Sequence, residues 1–353
     1  MPNRPPRTCT YPASYATRSP ILQATQEIAA NKENVSSFYL DTLQSMSRFL
    51  RHMENHAQAI ARSHVLSDRS VVFFLACSFL DTAGAGTLSS YRYRGPLDNA
   101  HVLDAQPRDV AKMEAFGRVG DTHPSDICFL AEVDELDGGY VFVAEEFEKQ
   151  KIGVFHFDLS GAPASLDHVG DLPFRFEKDG PNLITIDRVG ETYFLIAGST
   201  HWGYCQVFVA KESDLFPKCQ ARSMFLPAFK PLSRENRFNF PITTSNAPSQ
   251  IKLVKDSTGA WSLLAFRGDP PDKERATDYV DIYPVSFNPF SIGPLIKSVH
   301  IFLRSGDTSF ANTGTHFVER SGRLLISSSY RWAENEGPGG AAYVHRVDEV
   351  RSD

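Results

Sequence analysis

The chain lacks the features that mark membrane-spanning and nucleic-acid-binding proteins. Its 353 residues contain no run of about 18 apolar residues, so we expect no membrane span. Its 36 lysines and arginines are outnumbered by 42 aspartates and glutamates. Because a nucleic-acid-binding surface is typically basic and clustered, we expect no nucleic-acid partner.

Cysteine is scarce and unpaired in its spacing. The five residues are Cys9, Cys77, Cys128, Cys205 and Cys219. An odd number without paired spacing is typical of a reducing compartment, and three of the five lie in apolar runs where we expect buried thiols. The first 20 residues include no apolar segment typical of a secretory signal. These features predict a cytoplasmic protein.

Several short catalytic motifs are also missing. The sequence has no Walker A loop, no HExxH, no dinucleotide fingerprint after a strand and no GxSxG elbow. The stretch GAGTLSS after Asp81 superficially suggests a phosphate loop, but it leads into a strand. We therefore expect no bound cofactor.

What the sequence does contain is one unit repeated five times. Each copy has small or polar residues, a short apolar strand, a turn and a second, more apolar strand. Examples are HPSDICFLAEVDELDGGYVFVAEE from His123 and APSQIKLVKDSTGAWSLLAFRG from Ala247. The aligned positions, spaced by 67, 57, 67 and 66 residues, are Ile60, Ile127, Ile184, Ile251 and Phe317.

A third strand follows in every copy and a fourth in four of them, clearest in VAKMEAFGRVG and IKSVHIFLRSG. Four-stranded antiparallel units repeated radially are typical of a β-propeller. Over roughly residues 43–350 the pattern resembles five-bladed propellers, without the marks of WD40 or kelch repeats. That resemblance implies an all-β fold of five four-stranded blades. Five-bladed relatives by architecture include the family 43 and family 32 glycoside hydrolases, apyrases and lectins.

The fifth copy lacks a fourth strand of its own. SMSRFLR near the N-terminus is similar to SVHIFLR of the fourth copy, so we expect 43–50 to be the outer strand that closes the ring. A helix over 35–53 is the alternative, because apolar residues there also follow helical spacing. We expect residues 1–40 to form an extended or partly ordered arm and 41–353 to form one domain.

Polar residues cluster where the first strand of each copy starts and the second ends. In an antiparallel blade these positions are neighbours at one mouth of the central channel. The sequence therefore predicts a substrate site there, with these residues binding the substrate: His56, Gln58, Asn182, His201, Trp202, Gln250, Arg267, Tyr330, Arg331 and Trp332. The alternative is that polar residues at this mouth only bind water or cap a neighbouring loop.

Acidic residues and histidines at the same mouth suggest acid–base chemistry. We expect Asp126 with Glu145 or Glu146 to form a carboxylate set in which burial raises one pKa, as glycoside hydrolysis requires. His123 and His316 would orient the substrate or transfer protons. As alternatives, Glu145 and Glu146 pair with Lys149 or Lys151, and His123 closes a turn against Asp121.

Tryptophan and arginine supply the binding side of this hypothesis. Trp202 and Trp332 lie at equivalent positions beside basic or imidazole side chains, which suits stacking on a ligand as well as packing between blades. Arg267 and Arg331 suit a carboxylate or phosphate. We expect no metal. His316 lies about three residues deeper in its strand than His56 and His123, which separates it by roughly 10 Å.

These features predict an enzyme, of the hydrolase or lyase type, that acts on a small polar or glycan-like molecule at the channel mouth. The first alternative is a lectin-like binder with repeated pockets. It fits less well because the residues at the mouth differ between copies. The second alternative is a platform for protein interactions.

Overall fold

Antiparallel β-strands make up most of the residues that the computed structural model of this protein describes. The structure describes residues 19–30, 35–41, 55–79, 86–95, 97–98, 101–102, 113–121, 124–131, 138–145, 150–160, 164–176, 180–217, 224–242, 248–268, 278–301, 312–318, 323–329 and 344–352. Among these residues no helix combines the length and apolar character needed to cross a membrane.

The chain begins, in its described part, with helix α1 (Pro20–Ala30) and strand β1 (Val35–Asp41). The first sheet then follows with the order β2-β3-β4-β7. Its strands are β2 (Asn55–Arg62), β3 (Val71–Phe79), β4 (Gly86–Tyr93) and β7 (Met113–Asp121). A separate two-stranded ribbon lies between β4 and β7, formed by β5 (Leu97–Asp98) and β6 (His101–Val102).

The second and third sheets follow in chain order. The second consists of β8 (Pro124–Ala131), β9 (Gly138–Glu145), β10 (Lys151–Asp158) and β11 (Ser165–Asp171). The third consists of β12 (Leu183–Val189), β13 (Thr192–Gly198) and β14 (Tyr204–Lys211), with β15 (Lys230–Pro231) and β16 (Phe238–Asn239) both paired to β14. Between β14 and β15 lie helix α2 (Glu212–Leu215) and a 3-10 turn (Leu226–Ala228).

The fourth and fifth sheets complete the set. The fourth consists of β17 (Gln250–Lys255), β18 (Trp261–Gly268) and β19 (Asp278–Phe287), with β20 (Phe290–Ile292) and β21 (Lys297–Ile301) both paired to β19. The fifth has the order β1-β24-β23-β22, and its last three strands are β22 (Asn312–Val318), β23 (Arg323–Ser329) and β24 (Val344–Arg351).

The second strands β3, β9 and β13 are almost continuously apolar because both faces of their sheets are covered. In β9, alternate side chains point to opposite faces. Phe142 and Ala144 pack in the same cluster as Ile184 of the third sheet, whereas Val143 packs in the same cluster as Phe74 of the first sheet. Tight turns between paired strands use glycine where φ is positive, as at Gly190 (φ 65°) and Gly259 (φ 86°).

The first strands of the sheets form a closed ring. Strand β2 contacts β8, β8 contacts β12, β12 contacts β17, β17 contacts β22, and β22 contacts β2. The aligned isoleucines Ile60, Ile127, Ile184 and Ile251 lie on four of these strands and are fully buried. Antiparallel sheets arranged around a ring of first strands are the architecture of a β-propeller. The predicted all-β propeller fold is therefore confirmed.

Ring closure uses a different N-terminal segment from the predicted one. The outer strand of the fifth sheet is β1, which pairs with β24 from Val35 opposite Val350 to Asp41 opposite Val344. The predicted closing strand, 43–50, lies outside the described residues. Residues 35–41 form a strand, so the alternative helix over 35–53 is wrong for that part.

Helix α1 packs its apolar side on the last two sheets. Ile21 and Ile28 lie in a buried cluster with Phe266 of the fourth sheet and Ile326 of the fifth. The described part of the expected N-terminal arm is therefore packed on the sheets. The boundary expected between residues 40 and 41 falls within β1, and the division into arm and domain stays a prediction.

Candidate functional site

Asp126 lies at the centre of the ring and makes four hydrogen bonds. It is on β8 and has no exposed surface. Its Oδ2 accepts hydrogen bonds from the backbone N–H of Ile184 (2.8 Å) and of Ile251 (3.3 Å). Its Oδ1 accepts from Gln250 Nε2 (2.8 Å) and from Lys252 Nζ (3.1 Å). One carboxylate thus joins the first strands of three sheets.

Gln250 and Lys252 extend these contacts to backbone carbonyls. Gln250 Nε2 also donates to the carbonyl oxygen of Ile60 on β2 (3.1 Å), and Lys252 Nζ donates to that of Ile127 (2.6 Å). We call Ile60, Asp126, Gln250 and Lys252 the axial hub. The axial hub ties together β2, β8, β12 and β17, so these four strands have a shared anchor on the axis.

Burial and hydrogen bonding act in opposite directions on the Asp126 carboxyl. Removal from water is the larger effect and raises the pKa of Asp126, although the Lys252 ammonium, the Ile184 N–H and the Gln250 amide each lower it. Only about a tenth of the Lys252 side chain is exposed. The pair is therefore a buried charge pair, whose members depend on each other.

A cavity of about 280 Å³ lies beside the axial hub. Ala61 and Arg62 of β2, Cys128 and Phe129 of β8, Thr185 to Arg188 of β12 and Lys252 to Lys255 of β17 line it, together with Trp261. On β2 and β8, these residues follow Ile60 and Ile127 in sequence. The cavity therefore lies toward the ends of the first strands, whereas the sequence predicted a site at their starts.

The inner wall of the cavity is polar and fixed in place. Thr185 Oγ1 accepts a hydrogen bond from the backbone N–H of Leu253 (2.8 Å), which joins β12 to β17. Arg62 Nε pairs with Glu349 Oε2 at 2.7 Å, and neither side chain has exposed surface. Ser327 Oγ donates to the same carboxylate oxygen (2.9 Å). The Arg62 pair links the first sheet to the fifth.

One buried thiol, that of Cys128, lies in this wall. The thiols of Cys77, Cys128 and Cys205 form no disulfide and are buried, as expected from their apolar runs. Burial raises the pKa of Cys128 and raises the pKa of Cys205 to about 12. Both thiols are therefore protonated near neutral pH and act as small apolar side chains.

The structure brings Asp126 and Gln250 together but separates Asp126 from Glu145. In the register of β8 and β9, Asp126 lies opposite Ala144 and Pro124 lies opposite Glu145. Because neighbouring residues on a strand point to opposite faces, the two carboxylates lie on opposite faces of the second sheet. No carboxylate pair forms between them.

Glu145 instead pairs with lysine, as the alternative interpretation expected for Lys151. Glu145 Oε1 lies 3.1 Å from Lys151 Nζ, and Lys151 also contacts Asp171 Oδ1 at 2.8 Å. Burial of the ammonium lowers the pKa of Lys151, but the two carboxylates outweigh it and the pKa lies above its usual value. The Glu145 carboxylate, which has no exposed surface, therefore has a charged partner within its own sheet.

Other predicted binding residues make contacts inside the fold. Gln58 Nε2 donates to Ser78 Oγ (2.7 Å), and Asn182 Oδ1 accepts from the backbone N–H of Thr200 (3.3 Å). His201 is exposed in the turn that follows β13.

Trp202 and Arg267 pack among side chains of their own regions. Trp202 stacks on Phe176 and on Tyr204, with ring centroids 6.4 and 5.5 Å apart. Arg267 Nε donates to Asp281 Oδ2 (2.9 Å), and its guanidinium lies 4.2 Å from the centre of the Tyr279 ring. The Trp202 contacts agree with the packing alternative for the tryptophans, and the roles of both residues in substrate binding stay predictions.

The remaining predicted residues cannot be placed at the site. His123, Glu146, Tyr330, Arg331 and Trp332 lie outside the described residues, and His56 and His316 are described only by their positions on β2 and β22.

Sequence reasoning missed Lys252 and Thr185, although a signal for Lys252 was present. Lys252 lies two residues after Gln250 on one strand, and residues two apart share a face. The prediction that Gln250 faces the site therefore applied to Lys252 as well.

Comparison with known proteins shows weak structural similarity only. No protein-family model matches the chain, and no curated protein matches its sequence. A family 43 glycoside hydrolase from Xanthomonas citri is 8% identical, with a TM-score of 0.46 over 93% of each chain. An α-L-arabinofuranosidase from Podospora anserina is 8% identical, with a TM-score of 0.49 over 91% of this chain and 97% of its own. At such TM-scores these similarities carry no argument about what this chain does.

Proposed function

We propose that the chain is a five-bladed propeller that binds one small polar molecule on its axis, in the cavity beside the axial hub. Each of the five sheets is then one blade, and the pairs β15 with β16 and β20 with β21 each replace a single outer strand. One observation carries the proposal. First strands from four sheets enclose a cavity with a buried, hydrogen-bonded ammonium, that of Lys252, in its wall.

The size and lining of the cavity suit a small ligand. Its volume is just below the range of about 300–1,000 Å³ that is typical of small-molecule pockets. Phe129 and Trp261 add apolar surface, while Thr185 and Lys252 add polar atoms at fixed positions. Polar atoms contribute more of the lining than apolar atoms, which suits a polar ligand.

Catalysis by the expected carboxylates has less geometric support than binding. A general acid or base must come within about 2.6–3.2 Å of the proton that it transfers, directly or through one water. Asp126 and Glu145 have no exposed surface. The acid–base reaction on a glycan-like molecule at the channel mouth therefore stays a prediction that rests on Glu146, His123 and His316. The cytoplasmic location also stays a prediction.

A screen of small polar molecules by thermal shift, followed by calorimetry of the compounds that stabilise the protein, tests this proposal. We expect a stoichiometry near one ligand per chain. Thr185→Val should weaken binding about threefold to tenfold, because a hydroxyl hydrogen bond contributes about 0.5–1.5 kcal/mol. Thr192→Val, a change of the same kind on β13 away from the cavity, is the control and should leave the affinity unchanged.

Other outcomes separate the alternatives. A stoichiometry near five, unaffected by Thr185→Val, would show a lectin-like binder with repeated pockets. Recovery of a stable protein partner without binding of any small molecule would show an interaction platform. Either result contradicts the axial site.

A further inference from the structure

The ammonium of Lys252 has three N–H donors and contacts two acceptors among the described residues. Two of the donors are used, by Asp126 Oδ1 at 3.1 Å and by the carbonyl oxygen of Ile127 at 2.6 Å. Within the described part of the chain, no third acceptor contacts Nζ. Because Lys252 is in the cavity wall, the remaining donor is available to a molecule in the cavity.

The hydroxyl of Thr185 is a second donor on the same wall. Its oxygen is occupied as an acceptor by the backbone N–H of Leu253 at 2.8 Å. The hydroxyl proton has no acceptor among the described residues. Thr185 is on β12 and Lys252 on the neighbouring first strand, β17, and both residues are buried. Two donors with a spare proton therefore line the buried part of one cavity.

Three of the four other charged side chains of the wall have partners described below, and the fourth, Lys255, is exposed. Arg62 pairs with Glu349, and Arg188 pairs with Glu212 at 2.7 Å. Asp187 is half-buried, and its Oδ1 accepts from the backbone N–H of Arg188 at 2.6 Å. At the inner end of the cavity, the groups that remain available to bind a ligand are therefore the Lys252 ammonium and the Thr185 hydroxyl. Both can donate a hydrogen bond.

We propose that the molecule bound in this cavity is a small organic carboxylate, with its carboxylate oxygens held by Lys252 Nζ and Thr185 Oγ1. This inference rests on the proposed axial binding site and names its ligand class. A carboxylate only accepts hydrogen bonds, so it matches the two donors, Lys252 and Thr185, at the inner end of the cavity. Phe129 and Trp261 give the apolar remainder of such a molecule surface to contact.

Calorimetric titration with benzoate, benzamide and benzylammonium tests the ligand class on the unaltered protein. The three probes have nearly the same size and differ in charge. We expect benzoate to bind with a stoichiometry near one and at least tenfold more tightly than either of the others. Benzamide or benzylammonium binding as tightly as benzoate would overturn the inference.

Variants then test the assigned donors. Lys252→Gln keeps an amide donor beside Asp126 and removes the positive charge, and it should weaken benzoate binding at least tenfold. Lys151→Gln is the matched control, because Lys151 is also a partly buried, carboxylate-paired lysine but lies outside the cavity. It should leave benzoate binding unchanged. Equal effects of the two changes would contradict the assignment, and Thr185→Val provides a second test if Lys252→Gln does not fold.

Failure of the ligand class and failure of the binding site give different results. If neutral polar compounds from the thermal-shift screen bind one per chain and benzoate does not, the axial site stands and the carboxylate inference is wrong. If no compound of the screen and none of the three probes binds, both are wrong.

Discussion

Replacement of Asp126 by alanine is expected to destabilise the fold by about 3–5 kcal/mol, a large part of the roughly 5–15 kcal/mol that stabilises a typical domain. The change leaves the buried Lys252 ammonium without its carboxylate. It also removes the acceptor of the backbone N–H groups of Ile184 and Ile251. Urea denaturation followed by far-UV circular dichroism measures the loss.

A matched aspartate separates the effect of the axial hub from that of a surface charge. Asp171 also pairs with a lysine, Lys151, but about 40% of its side chain is exposed. Asp171→Ala should therefore cost less than about 1 kcal/mol. A loss below about 1 kcal/mol for Asp126→Ala as well would show that the carboxylate does not join the first strands.

Removing either partner of the Arg62–Glu349 pair is expected to have a similarly large effect. Both side chains have no exposed surface, so Arg62→Met or Glu349→Leu alone removes the opposite charge next to a buried charged group and should cost about 3–5 kcal/mol. The double change removes both charges and should cost clearly less than the sum of the two single changes. Ser327 then loses an acceptor, which accounts for about 1–3 kcal/mol of what remains.

A double-mutant cycle on these variants, measured by chemical denaturation, tests the link between the first sheet and the fifth. The pair connects β2 to β24, so its coupling energy reports on closure of the ring. Losses that simply add would mean that the two residues do not interact and that the ring does not close through this pair.

The repeat pattern made the central part of the fold predictable. In each copy an isoleucine precedes a turn and a second apolar strand, and this order recurs at near-constant spacing. The pattern therefore predicted buried first-strand residues, and the structure has them at Ile60, Ile127, Ile184 and Ile251. Such a pattern depends on burial of both sheet faces, which the sequence shows directly as apolar runs.

The N-terminal elements were harder to predict because their signals are local or depend on the backbone. Strand β1 is held by backbone pairing with β24, a strand about 300 residues later in the sequence. Helix α1 does have a start signal. Ser19 precedes Pro20, and proline is favoured at the first position of a helix. The expectation of an extended or partly ordered arm did not use this signal.

The candidate site was predictable in part. Asp126 and Gln250 are polar residues at aligned positions where the first and third copies have Ala59 and Leu183, and both contribute to the axial hub. The cavity at the other end of the strands was not predictable. It depends on the distance between β12 and β17, which the hydrogen bond between Thr185 and Leu253 fixes. A single sequence does not show the distance between two strands.

Hydrogen–deuterium exchange of Asp126→Asn against the unaltered protein tests most directly whether one carboxylate joins distant strands on the axis. The amides of Ile184 and Ile251 are 58 and 125 residues away from Asp126 in sequence, yet both donate to its Oδ2. We predict that peptides from β12 and β17 lose protection together in the variant, while peptides from β11 do not. Faster exchange confined to β8 and its immediate neighbours in sequence would contradict the axial hub.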